Sequence, residues 1–519
     1  PSAGAASSGR HGDRHDIVPV SFLPAVFKLH RQAVRGVCEG GPRFTEFVQQ
    51  LIFPAGRGSR PAHGGVNAPA SSSIGSHALL NGRQRLAVES AASQEALVLI
   101  QGPPGTGKTA VAVSIVEAWL QQDRETPILV ATGTHSSKNI ISRRLLERGI
   151  VISHRRDLIL KRKPNPKAVP VFVETVYMAA LPRDRVLPRV VIDESSQITE
   201  AAALVALGQG CSKLVLIGDP QQLGPVSNLG EAGFSAPEYA PFALECESVY
   251  ELVRKRHGVQ PVFLNEQYRM SSLLCSYPSE RFYGGELVPA GGIQDMQPPD
   301  CLAPFSLFGE ACAGTGGRAP TVFVDTALLE DRGEEVVPFH GSRSLRNSTE
   351  AGIVAHIVRG LESNGVGREE ISLITGYSAQ RDHLAYAVHG AGPCQGSRRW
   401  RHRAVKILLH GIDLLEEEPH PRVHTVDGFQ GSENDVIVFS AVRSNERGAT
   451  GFSGTPKRLC VLLTRARRAL VVVGDSSTLR RDEEWRAWME QAPMQVVRAT
   501  ANCLEGVLGQ EEHQQPPCS

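Results

Sequence analysis

Short apolar runs alternate with longer helical patterns along most of this chain. From about Leu79 onward, the runs are bounded by glycine, proline or aspartate and are often followed by helical spacing. Strands this short and continuously apolar are typical of parallel sheets covered by helices on both faces. One series of runs comprises residues 97–100, 128–131, 190–192 and 214–217, and a second comprises 262–264, 322–324, 371–374, 436–439 and 470–473. Two such series predict two α/β domains joined within 226–262.

The flanking segments differ in composition. Residues 1–15 are small, polar and basic, and residues 54–76 are rich in glycine, alanine, serine and proline, as linkers are. Spaced apolar positions from Phe27 to Phe53 predict one or two helices. The expected parts are an N-terminal linker and partial accessory region, partly helical, over 1–78, a first domain over 79–250, a second domain over 251–476 and a partly disordered tail over 477–519.

Composition and charge restrict the class of protein. The chain has 519 residues, of which 41% are hydrophobic and 21% are charged. These values exclude a wholly disordered chain, a fibrous repeat and a coiled coil, and the length favours at least two domains. The formal charge of +1 excludes a histone-like protein, although a locally basic groove remains compatible with it.

The cysteines and the apolar runs indicate in which compartment of the cell the protein is found. The ten cysteines stand singly without a Cys-x-x-Cys pair, so neither a thiolate metal site nor a redox dithiol is indicated. No run approaches the 18 or so apolar residues of a membrane span. We therefore expect an intracellular protein of the nucleus or cytoplasm, with reduced thiols and no membrane partner. Because the chain begins at Pro1 and not at methionine, it is expected to be a fragment of a longer product.

The segment GPPGTGKT carries the strongest chemical signal. It follows an apolar strand and precedes a helical pattern. Glycines let backbone N–H groups surround phosphate oxygens, and the helix presents its N-terminus to the negative charge. Lys108 would reach the β- and γ-phosphates, and Thr109 would offer its hydroxyl to Mg²⁺. The residues expected to bind nucleotide are Gly102, Pro103, Pro104, Gly105, Thr106, Gly107, Lys108 and Thr109.

Two further strand ends carry polar residues suited to phosphoryl transfer. Asp193 and Glu194 follow the run at 190–192, where the first can hold Mg²⁺ and the second can polarise the attacking water. Acidic residues also end strands simply because they are solvated there. After the run at 214–217, Gln222 is placed to sense the γ-phosphate.

The ordered set of motifs resembles superfamily 1 helicases of the up-frameshift, senataxin and helicase-with-zinc-finger branch. The motifs are GPPGTGKT, DESSQ, GDPQQLGPV, NEQYRM, VDGFQGSENDVIVFSAVRSN and LLTRAR, with YPSERFYGGEL at 277–287. The resemblance covers about residues 79–475. It implies an α/β fold of two tandem RecA-like parallel-sheet domains of the P-loop NTPase type, with the ATP site in the cleft between them. It also implies ATP and Mg²⁺ as cofactors and movement with 5′-to-3′ polarity.

The resemblance also assigns roles to residues. It gives Lys108, Asp193, Glu194 and Gln222 the roles inferred above. The further assignments are Gln84 as the reader of the adenine edge, Tyr268 as a stacking residue, Arg269 as an arginine finger, Glu433 as a nucleotide contact and Arg465 as the second finger, with Arg467 as its alternative.

The strand-binding side departs from the family pattern in several places. Expected backbone contacts are Thr134, His135, Ser136, Lys138, Thr175 and Arg443. The departures are the stretch 133–135, Glu174 beside a polyanion, Gly376 in place of a frequent proline, and Ser195 in place of a common alanine. The basic stretches 154–167 and 398–403 either line a nucleic-acid path or are solvated loop faces.

These patterns predict an ATP-dependent helicase or translocase that acts on single-stranded nucleic acid, with RNA favoured and DNA possible. The alternatives are an ATP-controlled clamp or coactivator scaffold that does not unwind, and a DNA helicase of the same superfamily. A repair helicase with an iron–sulfur module is not supported, because clustered cysteines are missing. The sequence leaves the identity of any protein partners open.

Overall fold

The computed structural model describes residues 23–39, 41, 44–53, 80–153, 171–180, 186–225, 247–302, 319–330, 332–339, 342–390 and 421–500. Two helices precede the first sheet, as the apolar spacing predicts. They are α1 (Leu23–Cys38) and α2 (Glu46–Ile52). Thr45 begins α2, because its hydroxyl accepts the Val48 N–H group and also donates to the carbonyl of Cys211.

The first sheet consists of parallel strands in the order β3-β4-β2-β5-β6-β1-β7. Its strands are β1 (Leu97–Gln101), β2 (Ile128–Thr132), β3 (Ile152–Ser153), β4 (Val171–Thr175), β5 (Arg189–Asp193), β6 (Lys213–Gly218) and β7 (Val262–Phe263). The helices of this part are α3 (Gly82–Ala92), α4 (Lys108–Gln122), α5 (His135–Glu147), α6 (Glu200–Leu207) and α7 (Val249–His257). Alternate residues of each strand face opposite cores, so Leu99 packs in one core and Ile100 in the other.

The strands of the second sheet are β10 (Thr321–Asp325), β13 (Ile371–Thr375), β14 (Arg422–Thr425), β15 (Asn434–Ser440), β16 (Ala466–Gly474) and β17 (Met494–Arg498). This sheet is also parallel, in the order β14-β13-β15-β16-β10-β17. Two small strand pairs lie outside it, β8 (Glu266–Gln267) with β9 (Val288–Pro289) and the antiparallel β11 (Glu334–Phe339) with β12 (Ser342–Asn347). The accompanying helices are α8 (Ser272–Tyr283), α9 (Ser348–Ser363), α10 (Ser378–His389), α11 (Pro456–Leu463), α12 (Ser476–Leu479) and α13 (Glu483–Gln491).

Two parallel sheets, each with a buried core on both faces, confirm the predicted α/β class with tandem RecA-like domains. The strands need both faces covered because their side chains are apolar at successive positions, and the helices supply that cover. In a parallel α/β sheet, loops at the carboxyl ends of the strands form the ligand crevice. The structure thereby determines where polar residues after β1, β5 and β6 must lie.

The placement of the apolar run at 262–264 among the second series is wrong. Strand β7 pairs with β1 in the first sheet, joining Ile100 to Val262 and Gln101 to Phe263. An edge strand joins whichever sheet offers a free edge, and β1 offers one. Likewise, α13 and β17 lie within 477–519, and β17 pairs with β10. We therefore propose that the first domain extends through Phe263 and the second through Arg498.

The helices α1 and α2 pack onto the first domain. Helix α1 lies against α6, whose residues 202–207 are all buried. A helix that is apolar on every side needs a cover on its outer face, and α1 supplies it, while α2 lies against α7. Across the part of the chain that the structure describes, no helix combines the length and the apolar character required to cross a membrane.

Candidate nucleotide site between the two domains

The loop from Gly102 to Gly107 joins β1 to α4 at the carboxyl edge of the first sheet. Gly105 and Gly107 have φ of +75° and +79°, a region that side chains disfavour. A Cβ on Gly105 would lie 2.7 Å from Cβ of Arg269, so the second domain approaches the loop closely. Lys108 Nζ donates to the carbonyl of Gly102 at 2.8 Å, which folds the lysine over its own loop.

Gln84 supports this loop from α3. Its Oε1 accepts the Asn81 N–H group at 3.1 Å, and its Nε2 donates to the carbonyl of Thr106 at 2.9 Å. Asn81 Oδ1 in turn accepts the Gln84 N–H group, completing a capping box. Both ends of the amide are therefore engaged, and an adenine contact by Gln84 would require exchange of one of these bonds. The predicted base contact stays a prediction.

Asp193 and Glu194 end β5 beside the loop. Asp193 is buried, and its Oδ1 accepts the Glu194 N–H group at 3.0 Å. Burial raises the pKa of Asp193, the Glu194 charge adds to this, and Lys108 acts in the opposite direction. Glu194 has a φ of +53° and accepts a hydrogen bond from Gln197 Nε2 at 2.9 Å, so its carboxylate is held in place. The departure at Ser195 is accommodated, because its hydroxyl donates to the carbonyl of Ile217 at 2.8 Å.

These groups fit a magnesium–nucleotide complex. A buried carboxylate whose protonated form is favoured by burial is suited to a nearby cation, which would restore the ionised form. Asp193 and the Thr109 hydroxyl are the groups that would hold Mg²⁺, and the ion would supply positive charge to the β- and γ-phosphate oxygens. The glycine loop and Lys108 would surround those phosphates.

A buried chain of hydrogen bonds crosses from the first domain to the second at Gln222. Gln222 Nε2 donates to Asp219 Oδ2 at 2.7 Å, and the Tyr283 hydroxyl donates to the same oxygen at 2.8 Å. On its other side, Gln222 Oε1 accepts from Arg465 Nη2 at 3.4 Å. Burial raises the pKa of Asp219, an effect that Lys108 opposes. Gln222 therefore has a direct contact with the second domain, to Arg465, and an indirect one, because Asp219 joins it to Tyr283.

Arg465 is buried in the cleft, with 1% of its surface exposed. Its other donors bond to the carbonyls of Val461 and Ser432 and to the Thr464 hydroxyl. Burial lowers the pKa of Arg465 to about 9, and the charge of Arg269 adds to this, so the guanidinium stays protonated at neutral pH. A cation held by neutral groups is well suited to stabilise incoming negative charge.

Arg269 and Arg467 share one carboxylate, that of Glu433. Arg269 Nε bonds to Glu433 Oε2, while Arg467 Nη2 bonds to Oε1 at 2.7 Å. Burial of Glu433 acts to raise its pKa, but the two arginines outweigh it and the pKa is lowered. Arg269 also donates to the carbonyl of Thr464 at 2.8 Å. In this state, therefore, Glu433 pairs with the predicted finger, and Arg467 lies on the more exposed side of the pair.

Tyr268 lies at the mouth of the site. Its N–H group donates to the carbonyl of Gly105 at 2.9 Å, and its hydroxyl accepts from Asn81 Nδ2 at 2.9 Å. The side chain is 45% exposed, so the ring is available for stacking. The structure thus brings the residues predicted for the nucleotide site together around one cleft.

The expected strand contacts are only partly exposed. Thr134 begins α5, accepting the Ser137 N–H group, and is exposed together with His135 and Ser136. Lys138 is paired with Glu174 at 2.8 Å, and both side chains are largely buried. Thr175 is buried as well. Arg443 pairs with Glu334 at 3.4 Å. The basic stretches 154–167 and 398–403 lie outside the described residues.

Two residues of the cleft were missed at the sequence level. Asp219 stands in the GDPQQ motif and Tyr283 in the segment 277–287, but neither received a role there. A tyrosine in an amphipathic helix is ordinarily a packing residue. Only the fold brings its hydroxyl to a carboxylate of the other domain.

Comparisons with known proteins show which proteins this chain is similar to. Two family models, each described as an AAA domain, match residues 84–228 and 246–477. The ATP-dependent helicase NAM7 of Saccharomyces cerevisiae is 29% identical over 477 residues, which is 81% of this chain and 44% of the relative. Regulator of nonsense transcripts 1 of Caenorhabditis elegans is 28% identical, covering 78% of this chain and 39% of the relative. The chain thus spans less than half the length of these curated relatives.

A third relative, the DNA polymerase alpha-associated DNA helicase A of Schizosaccharomyces pombe, is 26% identical over 79% of this chain and 66% of its own length. Among solved structures, an arterivirus nonstructural protein 10 (helicase) in complex with DNA is 16% identical, with a TM-score of 0.36 over 76% of this chain and 63% of that chain.

The two parallel-sheet domains and the phosphate loop between them define a P-loop NTPase with tandem RecA-like domains. Within that class, the chain is similar over most of its length to helicases of the Upf1-like branch of superfamily 1.

Proposed function

We propose that this chain is an ATP-dependent motor that moves along, and unwinds, nucleic acid while gripping a single strand. The observation that carries the proposal is the cross-domain contact of Arg465 with Gln222 beside the phosphate loop. A nucleotide bound there touches both domains at once, so it favours the closed cleft by differential contact. Hydrolysis removes that preference and lets the cleft open.

The roles of the individual residues follow from their positions. Lys108 leaves the Gly102 carbonyl for the β- and γ-phosphates, and Glu194, held by Gln197, orients and polarises the attacking water. Arg269 exchanges Glu433 for the γ-phosphate, while Arg465 is already aimed into the cleft. Phosphoryl transfer depends mainly on positioning and charge stabilisation, which these groups supply.

We favour single-stranded RNA as the track and 5′-to-3′ as the direction. The support for RNA is the number of relatives named as regulators of nonsense transcripts, whereas one relative is named a DNA helicase. The direction rests on the resemblance of the motifs to the up-frameshift branch. DNA is the alternative track that the experiment must separate.

The test is ATP hydrolysis by the purified chain, alone and with single-stranded RNA or DNA of matched sequence. We expect RNA to stimulate turnover strongly, Lys108→Ala to abolish turnover, and Glu194→Gln to retain ATP binding while tightening the hold on the strand. Normal turnover by either variant would contradict the assigned roles. Greater stimulation by DNA would reassign the track.

Strand displacement separates a motor from a clamp. A duplex with a 5′ single-stranded overhang should be separated when ATP is added, and one with a 3′ overhang should not. Strand-stimulated hydrolysis without separation of either duplex would replace the motor with an ATP-controlled clamp.

A further inference from the structure

Four buried polar side chains form a hub beneath the carboxyl edge of the second sheet. The hub consists of Asn347, Glu350, Gln380 and Ser440, each with at most 1% of its surface exposed. Gln380 Oε1 accepts the Asn347 N–H group at 2.8 Å, and Gln380 Nε2 donates to the Ser440 hydroxyl at 2.9 Å. Ser440 in turn donates to Glu350 Oε2 at 2.6 Å. The hub therefore joins β12, α9, α10 and β15.

The hub holds the backbone of Val442 from both sides. The Val442 N–H group donates to Glu350 Oε2 at 2.8 Å, and the Val442 carbonyl accepts from Asn347 Nδ2 at 3.0 Å. Val442 has a φ of +71°, a conformation that is an outlier for a β-branched residue. Such strain persists only where the surroundings impose it, and it clusters at functional sites. Here the two hydrogen bonds that join Glu350 and Asn347 to the Val442 backbone impose the strained conformation.

The hub is connected to both segments of the second domain that the motif resemblance associates with the strand. Val442 is followed directly by Arg443, and Gln380 follows the segment 376–378 by two residues. Both segments also lie against Gly451, because a Cβ there would lie 2.5 Å from the Tyr377 hydroxyl and 3.8 Å from Arg443 Cδ. Both segments lie at the carboxyl edge of a parallel sheet, where ligands bind.

We infer that Glu350 and Asn347 are positioning residues for binding of the strand's sugar–phosphate backbone. They hold Val442 in its strained conformation, and this fixes the distance between segments 376–378 and 443–445, which would contact that backbone. This inference rests on the proposed function. Neither residue touches the strand itself, because both are buried. Without the Glu350 bond, Val442 relaxes toward negative φ, and the direction of the chain that follows it changes.

The test compares Glu350→Ala with Glu350→Gln in the full chain. The amide of the glutamine can still accept from Val442 and Ser440, whereas alanine cannot. We expect Glu350→Ala to raise the Kd for a fluorescent single-stranded oligouridylate, and the concentration of that RNA needed for half-maximal ATPase stimulation, by about tenfold. The basal turnover and the KM for ATP should not change. Glu350→Gln should bind as the wild type does.

A double-mutant cycle with Val442→Gly tests the backbone argument. Glycine adopts positive φ without strain, so the two hydrogen bonds that hold residue 442 in this conformation become unnecessary. We expect Glu350→Ala to weaken strand binding by less than about threefold in the Val442→Gly background, against about tenfold in the parent. Equal losses in both backgrounds would overturn the role of Val442.

The outcomes separate this inference from the function on which it rests. If the wild-type chain neither binds the oligonucleotide nor is stimulated by it, the proposed function fails and the positioning role fails with it. If the wild type binds and Glu350→Ala binds equally well, only the positioning role is overturned. A loss of basal turnover parallel to the loss of binding would assign Glu350 a purely structural role and also overturn the inference.

Discussion

The ion pair between Lys138 and Glu174 occupies a cation on the side of the first domain that we propose binds the strand. The pair measures 2.8 Å, and its side chains are 17% and 6% exposed. Glu174→Gln removes the charge that holds Lys138, and we expect the freed lysine to meet a phosphate. The plot of log Kd against log salt should then steepen by about 0.7 for single-stranded nucleic acid.

The measurement for this prediction is a salt titration of oligonucleotide binding. Lys138→Gln is the matched control, because a lysine already paired with Glu174 contributes little to the slope. An unchanged slope in Glu174→Gln would mean that Lys138 does not reach the strand.

Glu350 is expected to make stability depend on pH. Burial raises its pKa to about 8, the charges of Asp475 and Glu334 add to this, and the bonds from Ser440 and Val442 oppose it. The folded state therefore retains a proton that the unfolded state loses near pH 4.3. The stabilisation is complete below about pH 4.3 and is lost as the pH rises toward 8.

Thermal unfolding from pH 5 to pH 8.5 checks this, with Glu350→Gln as the reference. The midpoint of the wild type should fall relative to that of the variant as the pH rises. Parallel curves would show that the carboxyl group does not titrate in this range.

At the scale of elements, the packing of Phe44, which lies between α1 and α2, beside the end of α6 depends on a glycine. A Cβ on Gly208 would lie 2.7 Å from Phe44 Cζ and 3.0 Å from the carbonyl of Leu204. Phe44 packs against the core to which α6 belongs, so the added methyl group must displace it. We expect Gly208→Ala to lower the free energy of unfolding by about 1–3 kcal/mol.

Chemical denaturation measures this effect. Gly291→Ala is the control, because a Cβ there meets nothing within 4 Å. Combining Gly208→Ala with Phe44→Leu should recover part of the loss. Equal stability of the two single alanine variants would contradict the packing argument.

The elements themselves follow from local pattern to different degrees. The central strands β1, β2, β5 and β6 were predictable, because a continuous apolar run is buried wherever it lies in a parallel sheet. The run that forms β7 was grouped with the second series but pairs in the first sheet, since two residues carry no information on which sheet edge they join. Strand β17 was missed because Met494–Arg498 mixes polar and apolar positions, and its pairing with β10 decides its conformation.

At the scale of the whole molecule, Tyr283 connects the second domain to Gln222, the proposed γ-phosphate sensor of the first. Its hydroxyl donates to Asp219, which also holds Gln222. Tyr283→Phe leaves Asp219 with one donor fewer, and we expect Gln222 to lose its fixed orientation. Strand-stimulated kcat should fall by about tenfold, the equivalent of one lost bond to a charged group, while the KM for ATP changes little.

Steady-state ATPase measurements test this, with Tyr277→Phe as the matched control on the same helix. The Tyr277 ring packs against Phe282, and its hydroxyl lies near Arg281 and Glu484 rather than Asp219. Equal kcat values for the two variants would remove Tyr283 from the coupling between the domains.

The sequence by itself was sufficient to predict the chemistry that is assigned to contiguous residues. The phosphate loop, the acidic pair after β5 and the glutamine after β6 were all identifiable, because each set lies within one strand end and one turn. Their shared location also followed, since parallel strands bring their carboxyl ends to one edge. The sequence order of the motifs was sufficient to indicate the family.

Only the tertiary structure decided which side chains are partners across long sequence separations. Arg465 meets Gln222 across 243 positions, Arg269 meets Glu433 across 164, and Val442 is held by Glu350 across 92. No local periodicity encodes such pairs, because they arise where the two sheets face each other or where distant strand ends converge. Burial then sets their energetics, since a charge or a strained backbone is tolerated only where distant groups happen to compensate it.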